Sequence, residues 1–288
     1  MASITSDVIA LRLLAAYRCA MSTTATRPVG DLLREWRQHR RLSQLELALE
    51  AEVSARHISF LETGRSLPSR EMVLRLAEQL EVPLRDRNAM LLAAGFAPYY
   101  PERSLDDPAL QQAREAVRLV LAGHEPYPAL AVDRHWNLLA ANQAVAPFFA
   151  GVAPVMTQPP INVLRATFHP DGLAPRIANF AQWRTFMLRR VERQVQRTAD
   201  AGLAELLSEL RTYPVPANLE DDDLAPGPEV PGMVVPLRLH TDQGVLSFLY
   251  TTTLFGTPQD VTLAEIGIEA FFPADAATAA AFIPGHHP

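Results

Sequence analysis

The chain has 288 residues, 48% hydrophobic and 20% charged, with a formal net charge of -6. This composition is globular and long enough for two ordinary domains, and the negative balance excludes a chain that coats nucleic acid through its overall charge. The single cysteine, Cys19, excludes an intramolecular disulfide and a cysteine-built metal site and fits a reducing, cytoplasmic setting.

All 26 basic residues are Arg, so every cation is a planar fork suited to phosphate or carboxylate. The apolar run Val8–Ala20 is broken by Arg12 and Arg18. It is too short to span a bilayer and too charged for a signal peptide core, so no membrane partner is expected. Residues 1–26 read as an N-terminal extension, of which residues 1–20 are either a frayed helix or a segment upstream of a start at Met21.

Residues 27–98 read as five helices. Val29, Leu32, Leu33 and Trp36 form the stripe of an amphipathic helix ending near Leu42. Ser43 and Glu46 form a capping box for a second helix, with Leu45, Ala48 and Leu49 expected on its buried side. Glu52-Val53 turns the chain, and Ser54 caps a third helix that stops at Gly64. Ser69 caps a fourth, striped by Val73, Leu76, Ala77 and Leu80, and Val82-Pro83 opens a fifth that stops at Gly95. Two short helices joined by a tight turn and flanked by three more make a helix-turn-helix domain.

In such a domain the second paired helix enters the major groove. At about 100° per residue, Ile58 and Leu61 point inward and Arg56, Ser59, Phe60 and Thr63 outward. Arg56 suits a guanine edge and Phe60 a thymine methyl, or else a partner subunit. Gln44, Ser54 and Arg65 are placed to hold phosphates. Arg34, Arg40 and Arg41 read either as a solvated helix face or as further phosphate contacts. His57 falls off the outward face.

Leu42-Ser43-Gln44-Leu45, Val53-Ser54 and Ile58–Arg65 resemble the xenobiotic-response-element type of helix-turn-helix, a lambda-repressor-like fold. The resemblance implies DNA contacts from Gln44, Arg56, Ser59 and Phe60. It also implies an internal pair between Arg37 and Glu62. Domains of this kind usually read two half-sites, so a homodimer on double-stranded DNA is expected.

Residues 99–126 read as a linker carrying a helix over Leu110–Ala122. Beyond it, Ala129–Asp133 and Trp136–Ala140 flank Arg134-His135 as a hairpin, and Asn142 is placed to cap the next helix. Ile177–Thr198 and Leu203–Leu210 read as helices. Pro214–Pro231 is an acidic, Pro-rich loop. Met233–His240, Asp242-Gln243-Gly244 and Val245–Leu254 form the clearest hairpin, followed by a strand over Ile266–Phe272, a short Ala-rich helix and a tail over residues 283–288. Two strands, helices, then three strands predict an α+β domain with one antiparallel sheet over residues 127–282.

Val132, Trp136, Leu138, Leu237, Leu239, Phe248 and Tyr250 fall on or beside the expected strands. Phe168, Phe180, Trp183 and Phe186 fall on or near the helices. Such a set walls an apolar pocket or packs as an ordinary core. Arg165, Arg189 and Arg190 read either as solvated charge on a helix face or as candidate partners for a carboxylate.

This half resembles the C-terminal domain of MmyB-like regulators. The resemblance rests on Tyr127–Trp136, Ala141-Asn142, Asn162–Arg165, His169-Pro170 and Phe271–Asp275. It implies a PAS-like sheet with helices over one face, holding a small hydrophobic ligand such as a fatty acid. The chain is thus expected to be multidomain, with no required cofactor. The alternative is a C-terminal domain that only dimerises or binds protein. No Gly-rich phosphate loop, His-Glu-x-x-His or Gly-x-Ser-x-Gly occurs, so no catalytic or metal-binding residue is assigned.

Overall fold

The computed structural model describes residues 27–216 and 235–282, in two compact units divided after Tyr99. The N-terminal extension, most of the acidic loop, the first residues expected in the Met233–His240 strand and the tail lie outside the described residues.

Five helices build the first unit: α1 (Val29–His39), α2 (Gln44–Glu50), α3 (Ala55–Glu62), α4 (Arg70–Gln79) and α5 (Leu84–Ala93). Ser43, Ser54 and Ser69 each accept a backbone N–H at a helix start, and Ser43 with Glu46 completes the capping box. Helix ends turn through left-handed residues, with Gly64 (φ 71°) after α3 and Gly95 (φ 84°) after α5. The core gathers Leu33, Trp36, Leu47, Ile58, Leu61, Leu76, Leu80 and Leu91.

One expectation fails here. Leu45 and Leu49 are exposed (59% and 69%), while Leu47, Ala48 and Ala51 are buried. With Leu at 45, 47 and 49, a seven-residue helix offers two apolar stripes, and packing against α3 and α4 selects one.

The second unit begins before the expected domain boundary. Residues 100–126, read as a linker, belong to it. Arg103 bonds Asp260 at 2.9 Å, and α6 (Gln111–Gly123) buries Val117 and Leu121 against the sheet. The strands are β1 (Ala129–Val132), β2 (Leu138–Ala141), β3 (Leu237–Thr241), β4 (Gly244–Leu254) and β5 (Gly267–Pro273). They form one antiparallel sheet in the order β2-β1-β5-β4-β3.

Strand periodicity sorts the two faces. Ala129, Ala131, Ile268 and Ala270 face α6. Leu130, Val132, Phe248, Leu237 and Leu239 join the larger core. That core is closed by α7 (Val163–Phe168), α8 (Phe180–Thr198) and α9 (Ala201–Thr212). Helices therefore cover parts of both faces, not one as the resemblance implied. Near its end the chain adds α10 (Val261–Ala264) and α11 (Ala276–Ala280).

Two local expectations are corrected. Asn142 does not cap the adjoining 3-10 turn; its amide bridges Ala129 N, Leu121 O and Tyr127 O instead. Trp136 lies in the β1–β2 turn, not in a strand. Its left-handed backbone (φ 67°) is held by Asp133, whose carboxylate accepts the N–H groups of His135 and Asn137. This turn is what delivers the indole to the core.

Candidate DNA-reading face and sensor cavity

Around α3 the organising group is the buried carboxylate of Glu62. Arg37 grips it with two hydrogen bonds, Nε to Oε1 at 2.6 Å and Nη2 to Oε2 at 2.9 Å. Gln44 donates its amide to Oε2 at 2.9 Å, and Arg34 donates to the Glu62 carbonyl at 2.9 Å. One residue thus ties α1 and α2 to the end of α3. Gly30 permits the close approach, since a Cβ there would stand 2.4 Å from the Leu61 carbonyl oxygen.

The expected DNA-contact residues differ in exposure. Arg56, Thr63 and Arg65 are exposed, and Ser59 and Phe60 are half-buried. Phe60 sits between two guanidinium groups, Arg56 at 5.1 Å and Arg65 at 5.8 Å from its ring centre. Ser54 accepts the His57 N–H at 3.1 Å, which leaves its own hydroxyl hydrogen for a phosphate. Gln44 keeps one of its two amide hydrogens beyond the Glu62 bond. Thr63 donates its hydroxyl to the Ser59 carbonyl at 2.7 Å, so it faces outward as an acceptor only.

The basic stripe on α1 is mostly structural. Arg34 and Arg37 serve Glu62, and Arg40 holds the Leu80 and Glu81 carbonyls at 2.7 and 2.9 Å, closing the end of α4. Arg41 is exposed, in a left-handed conformation.

Burial pushes the Glu62 carboxyl up, but the bonds from Arg37 and Gln44 and the two nearby positive charges outweigh it. Its pKa lies below the usual carboxylate value. The stabilisation is therefore complete above the unfolded pKa of about 4.3 and is lost as pH falls through the lower folded value. We expect Glu62→Gln to lower the free energy of unfolding at pH 7, with the deficit shrinking as pH falls below about 4. Urea titrations at several pH values check this, and a deficit independent of pH contradicts it.

In the second unit, a partly open cavity of about 60 Å³ lies between the sheet and α7 and α8. Of the expected ligand residues, Trp136, Trp183, Leu237, Leu239 and Tyr250 line it. Val132, Phe168, Phe180 and Phe248 are core residues around it, and Leu138 and Phe186 pack on that core from the partly buried side.

Arg190 does not line the cavity, and it is not free for a carboxylate. Its guanidinium donates to both oxygens of Glu269, at 3.0 and 2.9 Å, and to Thr252 Oγ1 at 2.8 Å. It is sandwiched between the rings of Trp136 and Tyr250, 4.7 and 4.8 Å from their centres. Thr252 also donates to Glu269 at 3.1 Å. The other candidate cations are no better placed: Arg165 grips Glu209 at 2.6 Å, and Arg189 is exposed.

Glu269 is the residue that sequence reasoning missed. Its side chain is 3% exposed, and burial pushes its carboxyl up against the pull of Arg190. A lone acid inside the apolar strand Ile266–Phe272 was the available signal, because a buried charge demands a partner. We expect Arg190→Met to destabilise the chain by about 3–5 kcal/mol by stranding that carboxylate, while the double variant Arg190→Met, Glu269→Leu recovers most of the loss. Denaturant titration of the three variants decides it; additive losses contradict the pair.

Among the described residues no three His, Cys, Asp or Glu side chains gather as a metal set, and no helix is long and apolar enough to cross a membrane. Comparison with known proteins yields two family matches. Residues 33–86 match the family described as helix-turn-helix. Residues 113–282, more than half of the chain, match the family described as MmyB-like transcription regulator ligand binding domain. No curated protein matches the chain. Both families are regulatory binding domains. A DNA-binding helix-turn-helix followed by a ligand-binding domain makes this a ligand-sensing transcription regulator, and the chain belongs to the MmyB-like transcription regulator family.

Proposed function

We propose that the chain binds DNA as a homodimer through α3 and that a fatty acid or similar lipid in the sensor cavity shifts its affinity for an operator. The observation that carries the sensor reading is the aromatic-walled cavity inside the domain that matches the ligand-binding family. In this account Arg56 and Phe60 touch base edges with Ser59 beside them. Gln44, Ser54 and Arg65 hold phosphates. Thr63 sits at the rim.

The cavity, at about 60 Å³, has room for roughly two waters, against the ~300–1,000 Å³ of drug-sized sites. An acyl chain therefore enters only as aromatic side chains of the wall move, which gives ligand binding a conformational consequence. A larger groove of about 870 Å³ lies between α6 and the β1–β2 ribbon. We assign the ligand to the smaller cavity because the groove is the more open of the two and carries Asp106, Arg114, Arg118 and Glu125.

Native mass spectrometry of the full chain, followed by solvent extraction, tests the sensor reading. Twice the chain mass plus a stoichiometric lipid is the expected result. A dimer with no extractable species, and no lipid taken up on addition, favours a domain that only dimerises. Arg56→Ala tests the reading face. It should cost about 1–3 kcal/mol of operator affinity and relax one base position. An unchanged binding profile contradicts that docking.

A further inference from the structure

Arg56 and Phe60 stand one helical turn apart on α3, on the side away from the buried Ile58, Leu61 and Glu62. The Arg56 guanidinium carbon lies over the Phe60 ring, 5.1 Å from its centre, and that of Arg65 lies over the same ring at 5.8 Å. Arg37 and Arg40 are consumed by a carboxylate and by backbone carbonyls. Arg56 has no such partner among the described residues, so its donors are open to DNA while its flat face rests on the ring.

This stacking restricts what the two side chains read together. A guanidinium that donates to guanine O6 and N7 lies in the plane of that base pair. Its flat faces then look along the duplex axis, and a ring stacked on one of them reaches the next base pair, about 3.4 Å away. Phe60 has no polar side-chain atom, so it ignores the donor or acceptor on that pair and senses only a methyl group. The C5 methyl of the base on the 5′ side of a guanine is the one that overhangs the guanine edge in the major groove.

We infer that Arg56 and Phe60 read one step as a unit: a guanine preceded on its own strand by a base that carries a C5 methyl. Thymine carries that methyl and so does 5-methylcytosine, whereas uracil and cytosine do not. Methylation of a cytosine before the guanine therefore creates the contact, and operator affinity responds to DNA methylation at this step. Phe60 is both the methyl reader and the positioning residue for Arg56. The inference rests on the docking of α3 proposed above and specifies what that face selects.

The test titrates the full chain, at one salt concentration, with duplexes carrying an operator selected from random sequence. The selected half-site should contain a thymine followed by a guanine. Uracil in place of that thymine in one half-site removes a methyl and nothing else, and should weaken binding about fourfold, the worth of one buried methyl. With cytosine at the same position, 5-methylation should tighten binding about fourfold. Phe60→Ala should abolish both methyl effects. It should also shrink the penalty for 7-deazaguanine in place of the guanine, because Arg56 has lost its platform. The base-analogue series uses the unaltered chain, so its outcome does not depend on a variant folding.

Equal affinity for the thymine and uracil duplexes overturns the inference, as does equal affinity for the cytosine duplex and its methylated form. In either case a relaxed guanine position in Arg56→Ala leaves the docking standing. An unchanged profile in Arg56→Ala, or the selection of no sequence at all, overturns docking and inference together.

Discussion

The DNA-reading half depends on one carboxylate. Glu62 closes α3, and its two oxygens collect Arg37 from α1 and Gln44 from α2. A buried acid is costly unless it is fully paired, so this geometry is exacting. Three helices must meet at one point, and the missing side chain of Gly30 lets α1 reach the Leu61 and Glu62 carbonyls. The outward row of α3 is consequently carried on a fixed base. Phe60, between Arg56 and Arg65, is held by its neighbours before any DNA arrives.

The second half repeats the device with different consequences. Glu269 is buried on the inner face of β5, paired across the strand with Thr252 and bound from α8 by Arg190. The pair pins α8 to the sheet, and the aromatic sandwich of Trp136 and Tyr250 pins the guanidinium. It also consumes the cation that a fatty-acid carboxylate would want. The residues that stiffen the domain therefore bear on the ligand's chemistry.

Much of this was legible in the sequence, for physical reasons. Ser43 with Glu46, Ser54, Ser69, Gly64 and Gly95 are local signals, and local hydrogen bonding decides helix ends whatever the tertiary context. The Asp242-Gln243-Gly244 turn likewise announced the β3–β4 hairpin. What failed was non-local. The buried side of α2 depends on neighbours that the helix pattern does not contain. Arg40 reads as surface charge until the end of α4 is placed beside it. Arg190 reads as a ligand cation until β5 brings Glu269 opposite. Of the expected pocket residues, five reach the cavity and the others pack around it, because alternation marks the inward face of a strand without marking which inward residues leave space.

The central claim is that ligand and DNA binding share one equilibrium. Linkage requires the ligand to alter operator affinity if it prefers one DNA-binding state. The direct measurement is the affinity of the full chain for an operator selected from random duplexes, titrated at one fixed salt concentration with and without a saturating lipid. The account predicts a change of at least about fivefold, in either direction, consistent with a coupling of ~1 kcal/mol or more. Identical affinities, with lipid shown to be bound in the complex, would contradict it.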